Sequence, residues 1–341
     1  MKLFVTLSCL SVLVILSAAA PSKNELEEWT KFKVTYDKKY SSAEEGRKME
    51  IFLENKKRVE EHNQRYKKGL VSFSMSLNKF SDLTEDEFRS MKTGFINSGK
   101  PSRKPILKTK QSLLRRGDVP QSFDWRDKNA VTPIKDQKQC LSCWIFSAVG
   151  AVESQHFIKT GQLVTLSEQN VLDCVNAPVD TGHCRVGWMD TAFEYILNNG
   201  IDTEESYPYE AEIKECRFDA ANVGATITGY ADLPSGDEKV LKTAVATVGP
   251  VSVAIDSMDG NFQHYQSGVY YSENCQNTED KLDHALLIIG YGKENGQPYW
   301  LVKNSWGTTW GEDGFAKIAR NKDNHCGIAT KPSYPVIDSA E

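Results

Sequence analysis

The cysteines constrain this chain more than any other feature. The first twenty residues, MKLFVTLSCLSVLVILSAAA, set one Lys ahead of a continuous apolar run that ends in small residues. That is the layout of a secretory signal peptide, cleaved within 17–20. Of eight cysteines, Cys9 leaves with it, and Cys140, Cys143, Cys174, Cys184, Cys216, Cys275 and Cys326 remain. An odd number in an oxidising compartment leaves one free thiol or one intermolecular bond. Three disulfides and one functional thiol is the economical solution.

The chain after the signal divides by charge. Residues 21–118 carry 23 Lys and Arg against 15 Asp and Glu, whereas residues 119–341 carry 17 against 31. Basic and acidic residues interleave in the first part, which argues against nucleic acid as a partner and for attraction between the two parts. No segment after the signal is long and apolar enough to be a membrane anchor.

Residues 24–66 read as helical, with Glu44, Lys48, Phe52, Asn55, Val59 and Asn63 along one face. Thr84 and Glu87 have capping-box spacing. The helical core is expected over about 24–90, followed by a Pro- and Lys-rich linker over about 91–118 that is open to proteolysis. A buried helix is expected from Cys143, and further helices in LSEQNVLDC and MDTAFEYILNNG. From about 223 short runs bounded by Gly, Pro and Asn read as strands. The body is therefore helical over about 125–222 and β-rich over about 223–335.

Cys140 and Cys143 have C-x-x-C spacing, which alone fits a thiol–disulfide oxidoreductase, half of a zinc site, or a nucleophile beside a structural cysteine. No βαβ order surrounds the pair, and no second ligand pair repeats zinc spacing. A thiol nucleophile needs a base, a group that orients the base, and oxyanion donors. Cys143 stands at a helix N-terminus, which favours the thiolate. Among six histidines, His62 lies in the basic leader, His156 on a helix, His183 and His325 beside cysteines, and His264 in NFQHYQSG. His284 opens an apolar strand, and Asn304 with Trp306 follows another, where they can fix and shield the imidazole.

The order Gln137, Cys143-Trp144, His284, Asn304-Ser305-Trp306-Gly307 resembles the papain family of cysteine proteases, nearest the cathepsin L type. The helical face from Glu44 to Asn63 resembles that type's inhibitory propeptide signature, with Lys48 for Arg and Val59 for Ile. Ser76-x-Asn78-x-Phe80-x-Asp82 resembles its second motif, with Ser for Gly. The resemblance implies an α+β, papain-like fold: a helical propeptide (21–118), then a mature peptidase (119–341) with a helical left domain, a β-barrel-like right domain and a cleft between. It implies Cys143 as nucleophile, His284 as its imidazolium partner, Asn304 orienting His284, and Gln137 with the Cys143 amide as oxyanion hole. It implies disulfides Cys140–Cys184, Cys174–Cys216 and Cys275–Cys326. Substrate would meet Gly187, Asp283 and Trp306, with Trp188, Met189, Ala254, Leu282 and Ala285 lining the specificity pocket and Lys331 near its floor.

The chain departs from the family in the cleft. Lys138, Leu141 and Val186 replace glycines, and Ile145 replaces Ala. Leu141 and Val186 are expected to narrow the pocket for the residue before the scissile bond, and Lys331 to disfavour basic side chains in the next. The resemblance implies an endopeptidase zymogen matured near 118–119, with no cofactor or metal; combined with the charge division, it leads us to expect the basic leader to leave the acidic body in acid as carboxylates including Asp82 protonate. Its partners would be polypeptide substrates, its own propeptide and cystatin-type inhibitors, and the enzyme a monomer in the secretory pathway, then lysosomal or extracellular. The alternative is a catalytically weakened homologue acting as a binding or decoy protein.

Overall fold

A computed structural model describes residues 21–95, 118–175, the backbone of 179–180, and 184–338. The signal segment, His183 and most of the linker lie outside the described residues. Up to Met49 the described residues form one compact unit, and from Glu50 on they form a second.

The expected helical leader is two helices, α1 (Lys23–Thr35) and α2 (Ser42–Lys67), parted by a turn in which Asp37 takes a left-handed φ of 46°. The Trp29 indole N–H donates to the Glu45 carboxylate at 2.7 Å, and Glu44 accepts the Ser41 amide at 3.1 Å. The signature asparagines spend their carboxamides on backbone. Asn55 donates to the Ser81 and Leu83 carbonyls (2.9 and 3.0 Å), and Asn63 both donates to and accepts from Met75 (2.7 and 2.9 Å). Phe52 and Val59, on the same face, are buried. Strand β1 (Phe73–Met75) and helix α3 (Glu85–Lys92) follow, α3 opened by the Thr84–Glu87 capping box.

The body begins with β2 (Phe123–Asp124). Helix α4 (Cys143–Thr160) is apolar around its circumference, so it is buried on all sides from Cys143 to Gln155 and stops at Gly161, whose φ of 75° suits glycine. It packs on α5 (Glu168–Cys174), α6 (Met189–Asn199) and the sheet. The two-residue strands β3 (Val179–Asp180) and β4 (Arg185–Val186) pair with each other, as do β5 (Ile201–Asp202) and β6 (Val223–Ala225).

The β-rich half contains β7 (Gly229–Asp232), β8 (Val251–Ile255), β9 (Tyr265–Tyr270), β10 (His284–Glu294), β11 (Gln297–Lys303), β12 (Phe315–Ala319) and β13 (Ser333–Val336). Helix α7 (Glu238–Thr247) interrupts it, capped by Asp237, and the strand reading passed over it. The sheet runs β1-β9-β12-β11-β10-β8-β13-β7, with β2 added to β10. It is open, not the barrel-like closure expected: β7 ends one side, and the free edge of β9 is taken by the leader strand β1 through Phe73↔Gly268, Ser74↔Ser267 and Met75↔Tyr265. An unpaired edge leaves backbone donors and acceptors to be satisfied, and β1 does that here. Leader residues Phe73, Met75, Phe80 and Phe88 share one apolar core with Phe262, Tyr265, Tyr270, Trp306 and Trp310. This core buries large aromatic area between the leader and the body.

Candidate active site

Three loop-to-element junctions meet at Cys143. The cysteine opens α4 and is fully buried. His284 opens β10. The antiparallel register Leu287↔Lys303 sets the residue after β11, Asn304, at the same end as His284. A His284 Nε2–Asn304 Oδ1 hydrogen bond of 2.9 Å results. An amide oxygen can only accept, so Nε2 carries the proton and Nδ1, buried and with no hydrogen-bond partner for its neutral form among the described residues, is the basic nitrogen. The Trp306 ring stacks on the imidazole at 4.4 Å and 27°, screening that bond from water.

Gln137 is fully buried in the turn before α4. Its Oε1 accepts the Ser305 hydroxyl at 2.7 Å and its backbone N–H donates to the Ser305 carbonyl at 2.8 Å. Its Nε2 is thereby aimed, donating to the Cys140 carbonyl at 2.7 Å and to the Lys92 carbonyl of the propeptide at 3.3 Å. Ser305 therefore fixes the carboxamide of Gln137, the residue expected to be the oxyanion donor. Ser305 lies in the Asn304–Gly307 motif, but nothing in its local sequence signals this contact with Gln137.

The linker expected from about residue 91 begins inside the cleft. The Gly94 carbonyl accepts the Gly187 N–H at 3.0 Å, and the Phe95 N–H donates to the Asp283 carbonyl at 3.1 Å. The Lys92 ammonium donates to the Lys138 carbonyl. Phe95 is buried in one apolar cluster with Met189, Ala254, Leu282 and Ala285, against which Trp188 packs. The propeptide thus occupies the surfaces expected for substrate. Lys331 pairs with Glu279 at 2.7 Å and lies 5.0 Å over the Trp188 ring.

The site is uncharged in this closed state. Burial pushes the Cys143 thiol up to about 11, although the backbone N–H groups of Ala285, Gly94 and Trp144 face the sulfur. Burial pulls His284 down to about 4, opposed by its Asn304 bond. The helix N-terminus does not outweigh desolvation while the propeptide is seated. Burial also raises Asp283 to about 7, and its Oδ1 accepts the Ser257 amide and hydroxyl at 3.0 and 2.8 Å.

Among the described residues the disulfides are Cys140–Cys184, Cys174–Cys216 and Cys275–Cys326, and Cys143 is the free cysteine. The C-x-x-C pair is therefore not a redox couple. Cys275, His325 and Cys326 cluster, but both sulfurs belong to one disulfide. His62 reaches the Phe73 carbonyl at 2.9 Å, and His264 lies buried near Arg58 and Gly260. His156 is half-buried on α4. None of these meets Cys143.

Of the three replaced glycines, Lys138 has a left-handed φ of 52°, and Leu141 and Val186 do not. The retained glycine, Gly187, has a packing reason: a Cβ there would lie 2.9 Å from the Trp144 ring. Ile145 is buried within α4. Sequence reasoning missed the buried charges behind the site. Lys135 bridges Glu153 and Glu168 at 2.8 and 2.7 Å, and Lys303 donates to Thr132 at 2.8 Å. These lysines immediately precede Asp136 and Asn304, and so anchor both turns from below.

Residues 119–336 match the papain family cysteine protease domain, and residues 29–88 match the cathepsin propeptide inhibitor domain (I29). A cathepsin L-like peptidase of Aedes aegypti is 49% identical over 96% of this chain and 98% of its own. Digestive cysteine proteinase 1 of Homarus americanus is 45% identical over 94% and 96%. The solved structure of digestive procathepsin L 3 from Tenebrio molitor larval midgut superposes with a TM-score of 0.83 at 44% identity, covering 93% of this chain and all of that one.

Proposed function

The chain belongs to the papain family of cysteine proteases and is a cathepsin L-like protease zymogen, and from that premise we propose how its own residues carry the reaction. With the propeptide gone, water and substrate reach Cys143, the desolvation penalty falls, and a proton moves from Sγ to His284 Nδ1. The thiolate adds to the scissile carbonyl carbon. The oxyanion so formed takes hydrogen bonds from Gln137 Nε2 and the Cys143 amide. His284 returns its proton to the departing amine, leaving a thioester. Water, deprotonated by His284, then releases the acid and restores the thiol. Asn304 holds the imidazole in the tautomer this needs.

The observation that carries the reading is the Lys92 carbonyl at 3.3 Å from Gln137 Nε2. The propeptide blocks the enzyme by placing a carbonyl on the oxyanion donor without offering Cys143 a bond to cut. Asp283, Gly187 and the pocket of Trp188, Met189, Ala254, Leu282 and Ala285 bind substrate backbone and one apolar side chain, as they bind Gly94 and Phe95 now. Leu141 narrows the neighbouring pocket and favours small residues before the scissile bond. The test is labelling of Cys143 by a thiol-reactive epoxide after acid maturation, with hydrolysis of a fluorogenic peptide. Stoichiometric labelling and turnover support the reading, whereas labelling without turnover supports a weakened, binding homologue.

The matured enzyme acts as a monomer in an acidic lysosomal or extracellular digestive setting and is open to cystatin-type inhibitors. No helix of the described residues is long and apolar enough to cross a membrane. Gel filtration and secretion assays of the tagged chain test these points.

A further inference from the structure

Asp136 directly precedes Gln137, and its backbone forms an antiparallel bridge with Trp306, the indole stacked on His284. Its Oδ1 accepts the Lys138 amide at 2.9 Å, which fixes the carboxylate. Its Oδ2 accepts the ammonium of propeptide Lys79. The same oxygen would lie 3.0 Å from a Cβ at Gly307, so the group sits close over that backbone. A second propeptide cation, Lys92, is 5.1 Å from the Phe80 ring centroid, as Lys79 is at 5.2 Å, and it also acts on Asp136. Burial alone would raise the Asp136 carboxyl. Lys79 and Lys92 hold it below its ordinary value instead.

The cations facing this carboxylate come from the propeptide. Maturation removes them and leaves an anion still oriented by the Lys138 amide. Its place in the reaction follows from the proton path. His284 must protonate the departing amine, so the departing segment runs over His284 and Trp306, on the side of Asp136. The acyl segment runs the other way, along Gly187 and the Phe95 pocket. We propose that Asp136 is a specificity-determining residue for the leaving side: it binds a Lys or Arg side chain within the first three residues after the scissile bond, as it binds Lys79 in the zymogen. The inference rests on the peptidase reading above.

The test uses enzyme matured from the full zymogen and internally quenched peptides that differ only in Lys, Gln or Glu at each of those three positions. At one position Lys is expected to exceed Glu by about tenfold in kcat/KM at low salt, with Gln between. The ratio should shrink in 0.5 M salt, about a 4 Å screening length. It should fall to about twofold or less in Asp136→Asn and in Asp136→Ser, the second of which keeps an acceptor for the Lys138 amide. Cleavage by the wild type without a Lys preference overturns the inference, as does a preference that both variants retain. Cleavage of no peptide by the wild type overturns the peptidase reading, and this inference with it.

Discussion

Replacing Gly94 with alanine in the full zymogen should loosen the propeptide without touching the enzyme. A Cβ at 94 would overlap the carbonyl oxygen and carbon of Leu141 and lie 2.9 Å from its Cα. That backbone cannot yield, because the Cys140–Cys184 disulfide and the first turn of α4 hold it on either side. Two routes relieve the clash. Distorting the cleft around one inserted methyl costs about 1–3 kcal/mol. Lifting only the backbone of residues 94 and 95 surrenders the Gly187–Gly94 and Phe95–Asp283 hydrogen bonds of 3.0 and 3.1 Å, worth about 1 kcal/mol each. Both routes arrive near 2 kcal/mol, which is about a thirtyfold larger open population. The assay is the rate at which a vinyl sulfone labels Cys143 in the zymogen at neutral pH, where labelling tracks the open population. Gly46→Ala is the control, since a Cβ there meets nothing within 4 Å. Labelling of Gly94→Ala within about threefold of wild type would refute the claim that close backbone approach seats the inhibitor.

Acid should open the zymogen through histidines before carboxylates. Burial holds His264 down to about 3, helped by Arg58, and His284 down to about 4. Through these two histidines the closed state binds fewer protons than the open one between those values and about 6.5, an effect that Asp283, raised to about 7 by burial, opposes. The histidines' contribution to its stability is full above about 6.5 and is lost as pH falls, by about 2 kcal/mol per histidine at pH 5. Asp136 is depressed by Lys79, so its pair weakens only below about 3.8. Maturation half-times should fall between pH 6.5 and 4.5, and less steeply in His264→Gln; acceleration confined below pH 4 would restore the carboxylate account. Lys138→Gly should raise the unfolding free energy by about 0.5–1 kcal/mol, read as a higher denaturant midpoint at unchanged slope, because left-handed strain of about 1–2 kcal/mol outweighs glycine's unfolded-state entropy; a lowered midpoint contradicts this. Lys331→Ala should change the ratio of acidic to basic substrates by less than about threefold, since Glu279 already neutralises the half-exposed lysine. A tenfold change, on the order of 1.4 kcal/mol, would make the lysine a determinant after all.

Residue type and local order carried the chemistry. An odd thiol, a histidine at a strand mouth and an asparagine after the next strand were legible because each chemical role admits few side chains. The helices at Cys143, Glu168 and Met189 were legible from apolar pattern and caps, and Gly200 closes the last of them as read. The misses share one cause. Helix α7 and the two-helix leader depend on local breaks that periodicity smooths over, and the barrel-like closure was a matter of which edges find partners.

By itself, then, the sequence pointed to the proposed reagents, nucleophile, base and orienting amide, and to a basic leader for an acidic body. Tertiary structure alone decided their state. Nothing local says that β1 completes the edge of β9, that Gly94 lies flat on Leu141, that Lys79 caps Asp136, or that burial outweighs the helix N-terminus and leaves Cys143 and His284 neutral. Desolvation and close packing are set by segments far apart in the chain, and those terms decide whether a complete set of catalytic groups is held silent or set to work.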